Sequence, residues 1–224
     1  LIKAIVFDFD GLIVDTESIW YDCYRETLSA LNLEFPIEVF SRCIGTHDTE
    51  MRNYLKEVVG GEAQALQIVE AAARLHDDKI LNVQERQGVR DYLEEAKQAG
   101  LMIGLASSSS RKWIDRFLDE LGLRSYFQTI KTSEDVTNIK PDPELYLRAI
   151  ESLGVEPSKA VAFEDSVNGA KAAKAAGLRC IIVPNRVTEN LLFEAYDLRI
   201  RSMGDQPLAE LIRQLNEAEG SPAG

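Results

Sequence analysis

Soft metal ligands are scarce in this chain. It has 2 histidines and 3 cysteines in 224 residues, and Cys23, Cys43 and Cys180 form no CxxC pair. Such spacing builds neither a zinc site nor a disulfide frame, so reduced thiols packed among apolar neighbours are expected. Positive charge is short as well, with 25 Lys and Arg against 37 Asp and Glu for a formal net charge of -12. Binding to nucleic acid or to an anionic membrane needs clustered cations, and neither partner is expected. No apolar run reaches the ~18 residues of a membrane-spanning helix. The start, Leu1-Ile2-Lys3-Ala4, lacks the layout of a signal peptide, which makes a cytoplasmic protein the expectation; a monomer is expected as well. Repeats and low-complexity tracts are missing, and the tail from Glu219 to Gly224 reads as disordered.

What is present is an ordinary globular composition, 45% hydrophobic and 28% charged. Near-continuous apolar runs at 3–8, 102–106, 160–163 and 180–183 suit parallel strands buried on both faces. Weaker strand candidates stand at 129–132 and 198–201. Amphipathic helices alternate with them. One carries Val89, Leu93 and Ala96, a second Trp113, Ile114, Phe117, Leu118 and Leu121, a third Leu145, Ala149 and Leu153, and an Ala-rich one starts near Asn168. Gly100, Gly122, Gly154 and Gly177 end these helices. The alternation predicts an α/β fold with a doubly wound, Rossmann-like parallel sheet.

Residues 17–82 break the pattern. Trp20, Cys23, Tyr24, Leu28 and Leu31, then Met51, Leu55 and Val58, then Leu66, Val69, Ala73 and Ile80 repeat at helical spacing. A stretch of ~65 residues is too long for a simple connection. An all-helical cap over 17–82 is expected, inserted after the first strand of a core formed by 1–16 and 83–224.

In an open parallel sheet, ligands bind beyond the carboxyl ends of the strands. The polar residues just past each predicted strand are Asp8, Asp10 and Gly11, then Ser107 and Ser108, then Glu164 and Asp165; Lys140, at the head of the helix expected from 140 onward, completes the set. Singly these are turn and cap residues. On one edge the carboxylates would repel one another and raise their pKa values unless a cation were bound. Oxygen ligands without nearby His select Mg²⁺ over zinc. Ser107 and Lys140 then serve as donors to a phosphoryl group. Asp8 can attack phosphorus as a nucleophile, and Asp10 can protonate the leaving oxygen and later deprotonate a water. Gly11 clears space for backbone N–H groups to approach phosphate oxygens.

The run from Asp8 to Glu17, with Ser107, Lys140-Pro141-Asp142-Pro143 and Glu164-Asp165-Ser166 following in order, resembles the four motifs of the haloacid dehalogenase-like hydrolase superfamily. The helical insert is similar to the cap of the beta-phosphoglucomutase-like subgroup. The resemblance covers essentially the whole chain. It implies Asp8 as nucleophile and Asp10 as general acid/base. It also implies Mg²⁺ on Asp8, the Asp10 main-chain carbonyl and Asp165, with Glu164 direct or through water. Ser107, Lys140 and the N–H groups of Gly11 and Ser108 would bind the phosphoryl group, while Asp15 and Thr16 would shape the hinge. Trp20 stands where the subgroup's mutases carry a His. Gly45-Thr46-His47-Asp48 lacks their Arg. The expectation is therefore a phosphatase of a small phosphorylated metabolite, a sugar or polyol phosphate. A phosphosugar mutase is the alternative and a receiver-like phospho-acceptor the distant one. Trp20, His47 and Lys79 are the expected specificity residues, and His76 is read as a helix-surface residue.

Overall fold

The computed structural model describes residues 1–44 and 49–220; His47 and its neighbours 45–48, with the tail 221–224, lie outside the described residues. Six strands form one parallel sheet: β1 (Ala4–Phe7), β2 (Met102–Ala106), β3 (Thr129–Lys131), β4 (Ala160–Glu164), β5 (Arg179–Ile182) and β6 (Leu198–Arg199). Their spatial order is β3-β2-β1-β4-β5-β6, and every neighbouring pair runs parallel. Both weaker strand candidates are real. The first strand is shorter than expected at both ends, and Asp8 stands one residue past it, its amide still donating to the Phe163 carbonyl at 3.0 Å.

Successive side chains of a strand point to opposite faces, and the two faces are filled differently. Ile5, Phe7, Val161, Phe163 and Ile181 pack with α5 (Val89–Gln98), α6 (Arg111–Glu120) and α9 (Leu208–Gly220). Ala4, Val6, Ala160, Ala162, Cys180 and Ile182 pack with α7 (Glu144–Leu153) and α8 (Val167–Ala175). The first face is bulky. The second is largely alanine, and α8 answers it with Ala170, Ala172 and Ala173, so helix and sheet approach closely. Burial on both faces explains why the strands read as continuous apolar runs. Each large side chain so buried contributes about 1.5–3 kcal/mol.

Between β1 and β2 the chain forms α1 (Thr16–Ser29), α2 (Ile37–Cys43), α3 (Thr49–Val59) and α4 (Glu62–Lys79), with no strand among the described residues of 17–82. These helices have their own apolar cluster, in which Tyr21, Leu28, Phe35, Phe40, Met51, Leu55, Ala65 and Ile68 are buried. Two sequence expectations fail here. Leu31 lies past the end of α1 and is 54% exposed; Leu66 is helical as expected, though 50% exposed on α4. His76 is not a surface residue: it is 3% exposed, because aromatic rings cover it. Cys43 is half-buried, while Cys23 and Cys180 are fully packed thiols. At the C-terminus, α9 continues to Gly220 where disorder was expected from Glu219.

Helix starts follow local chemistry. Asp15 caps α1, accepting from the Ser18 amide at 3.1 Å. Ser110 caps α6, and Ser166 caps α8. Lys140 does not open α7, which begins at Glu144. The residue before a proline is pushed away from helical dihedrals, so Pro141 and Pro143 delay the helix and leave Lys140 in a loop.

Candidate active site

The strand order reverses between β1 and β4, which is the switch point where parallel sheets bind ligands. Asp8, past the end of β1, and Glu164 and Asp165, at the end of β4, meet there. Each offers an oxygen within 4.8 Å of the others. A cavity of about 1050 Å³ opens over them, lined by Asp8, Asp10, Glu17, Ser107, Lys140 and Asp165. Ile44 and Glu50 line its other side from the helical segment.

Lys140 is buried between two carboxylates, its Nζ 2.5 Å from Asp8 Oδ1 and 2.7 Å from Glu164 Oε1. Burial works against its ammonium, but those two carboxylates win and raise its pKa above the ordinary value. It therefore stays a fixed cation. Burial pushes the Asp8 carboxyl up to about 7 against the pull of Lys140, with Glu164 and Asp10 adding to the rise. Asp165 is raised well above the ordinary range by burial, with Asp8 and Glu164 contributing.

Glu164 is wholly buried, and its oxygens are already engaged. Oε1 also accepts from the Tyr146 hydroxyl at 2.6 Å, and Oε2 accepts from Ser166 at 3.3 Å. Its place is that of an anchor for Lys140. Asp165 differs: Asn185 Nδ2 donates to its Oδ2 at 2.8 Å, while its buried Oδ1 has no hydrogen-bond partner. A buried carboxylate oxygen left unpaired is costly. Beside two further carboxylates it fits a hard divalent cation, which would remove both the orphan and the raised pKa values.

Asp10 leaves that cluster. Its Oδ1 accepts from Thr16 at 3.0 Å and from the Trp113 indole at 2.9 Å, and its Oδ2 accepts from Ser109 at 2.6 Å. Its carboxylate is thus held apart from Asp8, which suits a separate task. Ser107 Oγ accepts the Ser109 amide at 3.0 Å, which leaves its hydroxyl proton free to point into the cavity. Ser108 also lines the cavity.

Gly11 requires a correction. Its amide donates to the Val14 carbonyl at 2.7 Å, so it is spent inside the tight turn rather than offered to a phosphate. The glycine is needed for another reason. Its φ is +82°, and a Cβ there would lie 2.1 Å from Asp165 Oδ2 and 2.8 Å from Asn185 Nδ2. It lets the turn pack against the β4 acid. Arg86 pins the same turn from behind, donating to the carbonyls of Gly11 at 2.5 Å, Val183 at 3.0 Å and Pro184 at 2.8 Å.

Two expected specificity residues stand elsewhere. The Lys79 ammonium pairs with Glu26 at 2.6 Å and is not among the residues lining the cavity. Trp20 stacks on His76 with ring centroids 3.8 Å apart. Glu17, quoted from the motif but given no role, does line the cavity, and burial together with Asp10, Asp8 and Asp15 pushes its carboxyl up to about 8. Asn185 follows β5, so the strand-end rule that found the other residues covers it as well. Ser109, three residues past β2 and lining the cavity, falls under the same rule; Trp113, Tyr146 and Arg86 carry no such signal, because none of them follows a strand end.

This sheet, with carboxylates and a buried lysine at its switch point, is that of an α/β enzyme acting on an anionic group. Residues 5–183 match the profile of the family described as haloacid dehalogenase-like hydrolase, and the chain belongs to that family. It is 44% identical over 217 residues to the Bacillus subtilis protein named "Putative phosphatase YhcW", covering 96% of this chain and 99% of that one. It is 33% identical over 187 residues to the phosphorylated carbohydrates phosphatase of Thermotoga maritima, covering 80% and 83%. The crystal structure of CbbY from Rhodobacter sphaeroides in complex with phosphate superposes with a TM-score of 0.72 at 28% identity, covering 95% and 100%. No helix among the described residues is long and apolar enough to cross a membrane.

Proposed function

We propose that the protein is a Mg²⁺-dependent phosphatase of a small phosphorylated metabolite, a sugar or polyol phosphate, working through an aspartyl phosphate on Asp8. The observation that carries this reading is the Asp8–Lys140–Glu164 chain beside the unpaired Asp165 oxygen. It is a nucleophile, a phosphate-binding cation and a cation site on one sheet edge. The relatives named as phosphatases, one of them for phosphorylated carbohydrates, support the substrate class. Residues 1–16 and 83–224 form the catalytic core in this reading, and 17–82 form a cap closing over the cavity, hinged near Thr16 and Asn82.

An Asp8 carboxylate oxygen attacks phosphorus as the bond to the leaving oxygen breaks, and Asp10 gives that oxygen a proton. Asp10, now a carboxylate, takes a proton from water; the water oxygen bonds to phosphorus, and Asp8 is released with inorganic phosphate. Lys140 and the Ser107 hydroxyl hold the phosphoryl oxygens throughout. Mg²⁺, held by Asp8, the Asp10 main-chain carbonyl and Asp165, would neutralise charge on the phosphoryl oxygens.

A mutase would need a second grip for a substrate phosphate. Trp20, where the mutases carry a basic residue, is an indole layered on His76 and offers no cation. The deciding experiment is a phosphate-release screen over small phosphorylated metabolites with and without Mg²⁺. Asp8→Asn should lose at least about a thousandfold in kcat, and Asp10→Asn should accumulate phosphoenzyme. Full activity in Asp8→Asn sinks the nucleophile, and isomerisation faster than phosphate release would make the enzyme a mutase.

A further inference from the structure

Trp113 is a large aromatic residue on α6, and its neighbours join two parts of the chain. On one side its indole N–H reaches Asp10 Oδ1 at 2.9 Å. On the other its ring lies against His76 of α4, with centroids 5.9 Å apart and planes 22° apart. His76 in turn stacks on Trp20 of α1 at 3.8 Å and 10°. An imidazole from the helical segment is thus layered between an indole of that segment and an indole of the sheet-bearing part. Phe117, one turn along α6, meets the Trp113 ring edge-on at 4.7 Å and fixes it from the core side.

The imidazole is unusual. It is almost wholly buried, and its Nε2 has no hydrogen-bond partner. Burial lowers its pKa, against the opposing pull of Asp77 and Asp10 and with help from Arg116, so the ring is neutral at pH 7. A neutral ring between two indoles makes its contribution through stacking, about 0.5–1.5 kcal/mol per aromatic pair beyond area burial. The unpaired nitrogen works against that gain, which points to a use for the contact other than stability.

Three donors surround the Asp10 carboxylate, and they are not equivalent. The Thr16 and Ser109 hydroxyls can turn and accept, whereas an indole N–H can only donate. Trp113 therefore requires a lone pair at Oδ1. Of the three, it is the donor whose bond to the carboxylate cannot reverse when the acid gains or loses its proton.

We infer that Trp113 is a positioning residue for Asp10, and that the His76 stack ties the aim of that carboxylate to the seating of the helical segment on the sheet. The inference rests on the phosphatase reading, in which Asp10 is the general acid/base. When the helical segment is seated, the stack holds Trp113 and Trp113 holds Asp10; when it lifts, the carboxylate loses its fixed donor.

The test uses the full chain with Mg²⁺ and p-nitrophenyl phosphate as the probe. Its leaving group departs without a proton, so turnover reports chiefly on water attack at the phosphoenzyme. Trp113→Phe keeps the ring in the stack and deletes the N–H. The expected result is a kcat about tenfold lower, KM within about twofold, an unchanged melting temperature and more acid-trapped phosphoenzyme. His76→Ala should lower kcat in the same direction, and the double variant should lose less than the product of the single losses. Unchanged kcat and phosphoenzyme in Trp113→Phe overturn the positioning role, and strictly multiplicative losses overturn the link through His76. If Trp113→Phe melts early, His76→Ala decides instead, since His76 does not line the cavity: a lower kcat at unchanged melting temperature and KM supports the inference, and wild-type kcat sinks it. A wild type without Mg²⁺-dependent release would fail at the phosphatase reading itself, which is a separate outcome from an active wild type matched by Trp113→Phe.

Discussion

Three carboxyl groups of the site are pushed the same way. Asp8 rises to about 7, Glu17 to about 8 and Asp165 well above its ordinary value, burial being the largest cause in each. A carboxyl whose folded pKa exceeds its unfolded value makes the folded protein bind more protons than the unfolded chain between the two values. Its contribution is full below the unfolded pKa and is lost as pH rises through the folded one. The metal-free protein should therefore lose stability between about pH 4 and pH 8. A cation bound among these groups reverses the loss, because it favours their charged forms. Thermal melts with EDTA and with excess Mg²⁺ at pH 5.5 and pH 8 should show a clearly larger gain from Mg²⁺ at pH 8. An equal gain at both pH values would contradict the cation site. The same residues show how far single positions can be read from sequence: Asp8 and Asp165 stand where strand ends place them, but the Asn185 donor to Asp165 and two of the three partners of Glu164, Lys140 and Tyr146, lie more than ten positions away.

The N-terminal turn of α8 governs one wall of the site. At Gly169 a Cβ would lie about 1.9 Å from the Glu164 carboxylate, and the Gly169 amide already donates to Ser166 at 3.0 Å. Helix and carboxylate can approach this closely only with glycine in that place. Gly169→Ala should push Glu164 off Lys140, at a cost of about 1–3 kcal/mol for overpacking, with a rise in KM and in the inhibition constant for inorganic phosphate as Lys140 loses its anchor. A melting curve and phosphate inhibition read the two effects separately. At this scale the sequence was informative about type and poor at ends. The strands near 129 and 198 were only weakly legible, since Ile130 in one and Leu198 and Ile200 in the other stand among polar residues. The start of α7 was misread because the two prolines look like helix openers, whereas the first of them sits in the loop that carries Lys140 to Asp8. Gly11 was right as a position and wrong as a reason, since its amide closes the turn.

Across the whole molecule, the loop after β5 links the Asp8–Glu164–Asp165 cluster, the turn after β1 and the helical segment. Asn185 Nδ2 donates to Asp165 Oδ2 and to the Gly11 carbonyl, and its side-chain Oδ1 accepts from the amides of Val187 and Thr188. Two residues on, Val187 packs into the apolar cluster of α1 to α4, and its carbonyl accepts from Ser41. Arg186 pairs with Asp22 of α1 at 2.8 Å. Asn185→Ala should leave both Asp165 oxygens without a donor and weaken Mg²⁺ binding about 10–100-fold, the usual cost of losing a partner that orients a metal ligand. Mg²⁺ titration of activity and of thermal shift measures it, and an unchanged midpoint in both would refute the role. By itself the sequence determined the alternation of strands and helices, the helical insertion after β1, the family, the acids and serine at the strand ends and the lysine of the third motif, because periodicity and motif spacing are local properties of the chain. Only the tertiary structure decided which carboxylate is anchored, which is left open, and which aromatic residue holds Asp10, because those depend on side chains that meet across elements, where burial and unpaired polar atoms, rather than spacing, set the outcome.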